Sequence, residues 1–127
     1  MRGSLRAARP NHVRVGRAGA GVNVTVGSYW GAEFAEPGGQ GAACIDVRGM
    51  KLFALAVGNA AGNVLDQSGR ILAGSRDADS GERYGVTELL LEHAEYRGGP
   101  PPPGTSTVTV LVPNVRLARL ELQRLAV

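Results

Sequence analysis

Four consecutive prolines flanked by glycines occupy residues 98–104, and they constrain the fold more than any other feature of the sequence. Proline has no backbone N–H to donate and holds its φ angle at about −65°. A segment built this way forms neither a regular helix nor a central strand. We therefore predict a stiff, exposed connector that separates a longer part of the chain from a shorter one.

Short apolar runs on both sides of this connector predict strands. Valines alternate with polar residues over residues 22–26, which is the period of a half-buried strand. The continuous apolar run at residues 51–57 predicts a central strand buried on both faces. Residues 63–73 predict a hairpin with Gly69 in its turn, and residues 107–112 predict a further strand.

Two segments have the character of helices. Residues 87–96 begin with Thr87 as a plausible N-cap and carry Glu88 in the first turn. Residues 117–127 repeat leucine at helical spacing, roughly on one side. Residues 27–41 and 74–85 have the composition of loops. These elements predict an α/β or α+β domain and leave its topology open.

Composition limits the class of protein further. The 127 residues suffice for one domain, and an aromatic content of 5% means that valine, leucine and alanine must build the core. The longest apolar run is far shorter than the roughly 20 residues of a membrane span, and no secretory signal is evident. The single cysteine, Cys44, excludes an internal disulfide. We expect a cytoplasmic protein without membrane contact.

The positive charge is concentrated at the start of the chain. Five arginines precede the first acidic residue, Glu33, whereas the chain from residue 18 onward carries a slight excess of acids. A basic arm can bind phosphates without sequence preference, so a basic-arm binding module is one alternative. The first and last residues of a protein chain are often poorly ordered. We therefore interpret residues 1–15 as an irregular basic leader and do not expect a nucleic-acid partner.

Generic site motifs are weak. The GRAGAG stretch at residues 16–21 lacks the preceding strand and following helix of a dinucleotide site. His12 and His93 lack partners at metal-ligand spacing and are interpreted as surface residues. Cys44, between alanine and isoleucine, is interpreted as a small buried apolar residue. We expect no metal and no cofactor.

Thr105, Ser106 and Thr107 lie directly after the connector and before a predicted strand. A nucleophile would occupy this position if the chain cut itself there. A hydroxyl would attack the preceding carbonyl, an ester would form, and hydrolysis would free a new N-terminus. The freed α-amine, with a pKa of about 8, would then serve as a base.

Four blocks of sequence carry a family resemblance: GRAGAG at 16–21, GQGAA at 39–43, the stretch 52–74 with its N-x-x-G, and the stretch 104–126. From residue 16 to the end, the chain resembles the self-processing N-terminal-nucleophile hydrolases. That family includes the L-aminopeptidase/D-esterase enzymes, the β-peptidyl aminopeptidases and the nylon-oligomer hydrolases. The nylon-oligomer hydrolase branch is the most similar.

The resemblance implies a peptidase or amidase with a layered αββα sandwich fold that cleaves itself into two subunits. Its substrates would be peptides or oligoamides. By position, Ser106 matches the nucleophile, and the cut is expected between Thr105 and Ser106. Asn59 matches the Asn that holds the substrate carbonyl or the oxyanion, a donor typically worth about 10²–10³ in rate.

The sequence departs from the family in three ways, one of which is Thr105 before the expected cut, where the family usually has Asn or Gly. Ser28 occupies the position of the family's Lys, whose charge is expected to tune the proton affinity of the nucleophile. Family members are also longer at both ends, so we expect residues 16–127 to form a truncated, catalytically impaired domain. The alternative is a non-catalytic structural remnant. Unpaired edges and uncovered faces predict a homo-oligomer or a complementing chain.

Overall fold

The computed structural model describes residues 8–92 and 104–126. The strands in these ranges are β1 (Thr25–Val26), β2 (Glu36–Pro37), β3 (Gly39–Val47), β4 (Met50–Asn59), β5 (Val64–Leu65), β6 (Ile71–Ala73) and β7 (Ser106–Pro113). The α-helices are α1 (Val86–Glu92) and α2 (Arg119–Leu125). Short 3-10 helices cover Gly19–Gly21, Ser28–Trp30 and Ala32–Phe34.

The largest sheet has the strand order β3-β4-β7, and both of its pairings are antiparallel. A two-residue turn at Arg48 and Gly49 joins β3 to β4, and both residues have positive φ angles, of 53° and 86°. This backbone twist matches that of the strands it connects. The Asp46 carboxylate accepts a hydrogen bond from the Gly49 N–H at 2.9 Å, which fixes the turn.

The two strongest strand predictions are confirmed in position. Residues 51–57 lie within β4, the middle strand of the sheet, and residues 107–112 lie within β7. The predicted burial of β4 on both faces is wrong, because its residues from Leu52 onward are only half-buried. The neighbouring Val108 is 59% exposed. Within the described ranges, only part of the sheet surface is covered by another element.

Strand β3 departs most from the sequence prediction. Residues 39–41 were predicted to be loop, yet they begin a nine-residue strand. Glycine and alanine have low intrinsic strand preference, so the pattern is weak, and pairing with β4 determines the structure instead. Cys44 lies on β3 and is exposed, which corrects its predicted burial. The reason is that the face of the sheet on which Cys44 lies opens onto a pocket at this point.

The short elements agree with the predictions in part. A strand was predicted over residues 22–26, and only Thr25 and Val26 form one. The predicted hairpin is confirmed: β5 pairs with β6, and Gly69 in the turn has a φ of 86°. Helix α1 begins at Val86, so Thr87 is not its N-cap. Instead, the Glu88 carboxylate accepts a hydrogen bond from the Gly85 N–H at 3.2 Å.

Helix α2 confirms the second helix prediction over a shorter range. The Glu121 carboxylate accepts a hydrogen bond from the Ala118 N–H at 2.7 Å and so satisfies a donor at the helix start. His12 is exposed, as predicted. Several of the predictions fall outside the described residues. They concern His93, most of the predicted connector, residues 1–7 of the predicted leader, residues 93–96 of the first predicted helix, and Val127.

The described part of the chain is a mixed structure that is compatible with the α+β class, since every strand pair in it is antiparallel. Its buried apolar residues are Ala18 and Val26, which belong to the segment before β3 rather than to the three-stranded sheet itself. Among these residues, no helix combines the length and the hydropathy needed to cross a membrane. The densest packing therefore involves the loops near the end of β4.

Candidate active site

A pocket of about 200 Å³ lies at the end of β4 and brings together three of the residues predicted from sequence. Ser28, Asn59 and Thr105 all line it, and Ser106 follows Thr105 directly along the chain. The other lining residues are small: Thr25, Ala32, Ala35 and Gly104. Residues that are far apart in sequence therefore converge on the peptide bond predicted to be cut.

Asn59 connects three segments at this point. It is the last residue of β4 and pairs in register with Ser106, the first residue of β7. Its side-chain oxygen accepts a hydrogen bond from the Thr25 N–H at 3.0 Å. Its side-chain nitrogen donates to the carbonyl oxygen of Gly104. The amide group of Asn59 is thus held one peptide unit upstream of the bond between Thr105 and Ser106.

Ser28 is held at the pocket by its backbone neighbours. The Gly27 N–H donates to the carbonyls of Ala60 at 3.1 Å and Gly62 at 3.0 Å, and the Tyr29 N–H donates to the carbonyl of Ala61 at 3.0 Å. These bonds fix the Ser28 segment to the loop that follows Asn59. Ser28 itself is 7% exposed.

A buried serine braces this segment from behind. Ser75 is fully buried, and its hydroxyl donates to the Gly27 carbonyl at 2.8 Å. The Asn63 side chain accepts from the Ser75 N–H at 3.0 Å and donates to the Tyr84 carbonyl at 2.7 Å. Gly27 has a φ of 81°, and a Cβ there would overlap the backbone of Gly74 and Ser75.

An ion pair between Arg83 and Glu36 adds a further contact between these segments. The Arg83 guanidinium donates to both carboxylate oxygens of Glu36, at 2.7 Å and 3.0 Å, and the Gly74 N–H donates to the same carboxylate at 2.7 Å. Glu36 is 9% exposed. The hydrogen bond from Arg83 holds the pKa of Glu36 below its ordinary value, although burial opposes this effect. Glu36 directly follows Ala35, which lines the pocket, so the ion pair holds this part of the pocket wall in place.

No ionisable side chain is among the described residues that line the pocket. Lys51, the only lysine, lies near the opposite end of β4, roughly 25 Å from Asn59 at the usual rise per strand residue. No group of three or more potential metal ligands occurs within residues 8–92 and 104–126. The pocket therefore supplies hydroxyl, amide and backbone groups rather than charge.

The sequence analysis missed the residues that brace the pocket: Glu36, Asn63, Ser75 and Arg83. Each is a single polar residue in a region predicted as loop or hairpin, and none belongs to a recognisable motif. Glu36 and Arg83 are separated by 47 positions, and Ser75 and Gly27 by 48. No local pattern reports such pairings.

Comparison with known proteins finds relatives over nearly the whole chain. The chain is 33% identical to a 6-aminohexanoate-oligomer endohydrolase from Kocuria sp. (strain KY2), over 98% of this chain and 35% of that protein. It is 32% identical to a protein of the same name from Agromyces sp. (strain KY5R), with the same coverage. It is also 32% identical to a putative NylC-analogous protein from that strain, of which it covers 41%. No protein-family model matches.

These relatives confirm the resemblance to the nylon-oligomer hydrolase branch of the N-terminal-nucleophile hydrolases. The chain is a homologue of the 6-aminohexanoate-oligomer endohydrolases and spans about a third of their length.

Proposed function

We propose that this chain contributes the nucleophile-bearing part of an amide hydrolase, and that Ser106 becomes its N-terminal nucleophile after cleavage between Thr105 and Ser106. One observation carries the proposal. The Asn59 amide is bonded beside the predicted cleavage point, in register with Ser106, in a pocket that also contains Ser28 and Thr105. The names of the relatives supply the reaction class, which is hydrolysis of an oligoamide.

The proposed self-cleavage balances as an acyl shift followed by hydrolysis. The Ser106 hydroxyl oxygen bonds to the carbonyl carbon of Thr105, the C–N bond breaks, and the hydroxyl proton passes to the departing nitrogen. Water then hydrolyses the ester, which leaves a Thr105 carboxylate and a free Ser106 amine. When the segment that ends at Thr105 moves away, the Asn59 Nδ2 is free to donate to a substrate carbonyl.

The pocket suits an oligoamide with aliphatic spacers. Ala32 and Ala35 supply small apolar surfaces, and Asn59 and Ser28 supply polar groups at the same pocket. Repeating amide and methylene units require this combination. We therefore propose 6-aminohexanoate oligomers as the first substrates to test.

We further propose that the described sheet is one layer of an αββα sandwich. Helix α2 lies against one face of β7, where Leu122 and Leu125 line a pocket with Thr109 and Leu111. One α layer on one β layer is half of such an arrangement.

We propose that processing and catalysis are slow, because Ser28 takes the position of the family's Lys and none of the described lining residues is ionisable. Ser28→Lys should then accelerate self-cleavage. The measurement is the fraction cleaved over time, with near-ultraviolet circular dichroism to confirm that the variant is folded. A folded Ser28→Lys variant that is cleaved no faster would contradict this part of the proposal.

The main test is the intact mass of the purified protein under denaturing conditions. The proposal predicts two fragments whose masses sum to the whole chain plus one water, the second fragment beginning at Ser106. Ser106→Ala should give a single uncut species. Thr107→Ala, one residue along the same exposed strand, is the matched control and should still be cut. Cleavage at the same bond in Ser106→Ala would refute the nucleophile assignment.

A second candidate function is that of a non-catalytic module that associates with a further copy of the chain. The observation that favours it is a row of exposed valines on one face of β7: Val108, Val110 and Val112. Exposed apolar strand surfaces promote association. Light scattering after gel filtration should show an oligomer that Val110→Lys disrupts and Thr109→Lys, on the opposite face, does not. A monomeric wild-type chain would rule this function out.

A further inference from the structure

A larger pocket, of about 420 Å³, lies at the other end of the β3-β4-β7 sheet. Its lining comes from the N-terminal segment and all three strands: Arg9, Asn11, His12, Val13, Cys44, Lys51, Phe53, Val112, Pro113 and Asn114. From Ser106 to Val112 along β7 is roughly 20 Å at the usual rise of a strand. This pocket is therefore separate from the candidate active site.

One row of the sheet forms the apolar floor. Cys44, Phe53 and Val112 are aligned in register across β3, β4 and β7, so their side chains point to the same face. Val112 is half-exposed. An aliphatic chain lying on this row would be removed from water.

The N-terminal segment forms one wall above this floor. Backbone hydrogen bonds between Gly16 and Gln40 anchor it to the start of β3, at 2.7 Å and 2.9 Å. The Gln40 side chain also donates to the Arg14 carbonyl at 2.6 Å. These bonds fix the segment at Arg14 and Gly16, and Arg9 and His12, which precede it, line the pocket.

Cationic and donor groups are in excess at the rim. Arg9, His12 and Lys51 all line the pocket, and no carboxylate of the described residues does. The nearest acidic partner is Asp46, whose carboxylate lies 3.7 Å from the Lys51 ammonium at an exposed position. Arg9 and His12 form no ion pair with another described residue. The pocket therefore combines an apolar floor with a rim on which Arg9 has no acidic partner among the described residues, while Lys51 is paired with Asp46 at an exposed position.

We propose that this pocket binds a short aliphatic carboxylate. The acid group meets Arg9 and Lys51, and the hydrocarbon tail covers Phe53 and Val112. Volumes of about 300–1,000 Å³ with a mainly apolar lining and a few polar groups are typical of small-molecule sites. The inference is independent of hydrolysis, because none of these residues belongs to the candidate active site.

The thiol of Cys44 can report whether this pocket is occupied. Cys44 is the only cysteine, it is exposed, and it belongs to the pocket floor. Hexanoate should therefore slow the reaction of Cys44 with a neutral alkylating reagent at least threefold at saturation. Hexanamide, which keeps the tail and lacks the charge, and acetate, which lacks the tail, should each protect far less. Sodium chloride keeps the ionic strength constant in every sample.

Charge variants test the rim. Arg9→Gln and Lys51→Gln should each raise the hexanoate concentration for half-protection by about threefold, the range expected for an exposed ion pair. Arg48→Gln lies in the adjacent turn, outside the pocket, and should leave it unchanged. Equal protection by hexanamide, absence of protection by hexanoate, or an equal effect of Arg48→Gln would overturn the proposal.

Discussion

The loops around the candidate active site and the three-stranded sheet beside them differ sharply in packing. Around the site, Val26 of the short strand β1 is 1% exposed and Ser75 is fully buried. On the sheet, Val108 is 59% exposed although it belongs to one of the most hydrophobic runs of the chain. Hydrophobic sequence therefore marks the strands correctly without reporting which residues are buried.

Polar pairing explains the difference. Around the site, Glu36 pairs with Arg83 and the Ser75 hydroxyl donates to the Gly27 carbonyl, so residues 27–36 are joined to residues 75–83. Each bond spans more than 45 positions, so these contacts close loops that would otherwise be open. On the sheet, the backbone groups pair between strands, but few described side chains lie above its faces.

The largest effect is expected from Gly27→Ala. The new Cβ would overlap the backbone of Gly74 and Ser75, and the residue would keep a left-handed φ of 81°. We expect a loss of about 4 kcal/mol in the free energy of unfolding, measured by urea denaturation. Gly41→Ala on β3 has open space around its Cβ and should change stability by about 0.5 kcal/mol or less. Equal losses would remove the distinction between the two regions.

Valine truncation compares the regions directly. Val26→Ala deletes methyl groups from a buried site and should cost about 2 kcal/mol. Val110→Ala on the sheet, where the valine is 51% exposed, should cost about 0.5 kcal/mol or less. Chemical denaturation at low protein concentration separates these values from any association. A larger cost at Val110 would show that the sheet face is covered in solution.

Glu36→Gln tests the ion pair of the loops. At neutral pH it should cost about 1–2 kcal/mol, since the hydrogen bonds from Arg83 and the Gly74 N–H are then no longer made to a charged carboxylate. The lowered pKa of Glu36 gives the sign of the pH effect. Its contribution is present above the ordinary value of 4.5 and is lost as the pH falls through the lower folded-state pKa.

The stability difference between wild type and Glu36→Gln should therefore shrink as the pH is lowered below about 4.5. Glu33→Gln removes an exposed carboxylate from the preceding 3-10 helix and should follow the wild type at every pH. Thermal unfolding between pH 3 and pH 7 measures both, with the buffer range chosen around the ordinary carboxyl values. A constant difference across that range would show that the Glu36 charge does not contribute.

Much of the secondary structure was predictable because its signals are local. The runs at 51–57 and 107–112 and the hairpin around Gly69 were identified from composition and period alone. Strand β3 was not, since its glycines and alanines carry little preference and it exists through pairing with β4. The start of α1 was missed by one residue because Glu88, rather than Thr87, satisfies the helix start.

The residues of the candidate site also fall into those that the sequence indicated and those that it did not. The family resemblance identified Ser28, Asn59, Thr105 and Ser106 from sequence, and the fold brings the first three to one pocket. Their roles in cleavage stay predictions. The bracing residues Glu36, Asn63, Ser75 and Arg83 had no signal, because each acts through a partner distant along the chain.

The sequence by itself determined β4, β7, the hairpin, the approximate helices and the family to which the chain is homologous, because these depend on neighbouring residues and on ordered motifs. Only the tertiary structure decided which valines are buried, that Cys44 is exposed, and that Asn59 meets Gly104. Burial and long-range hydrogen bonds depend on which segments close over one another. That closure is a property of the whole chain and leaves no local pattern in the sequence.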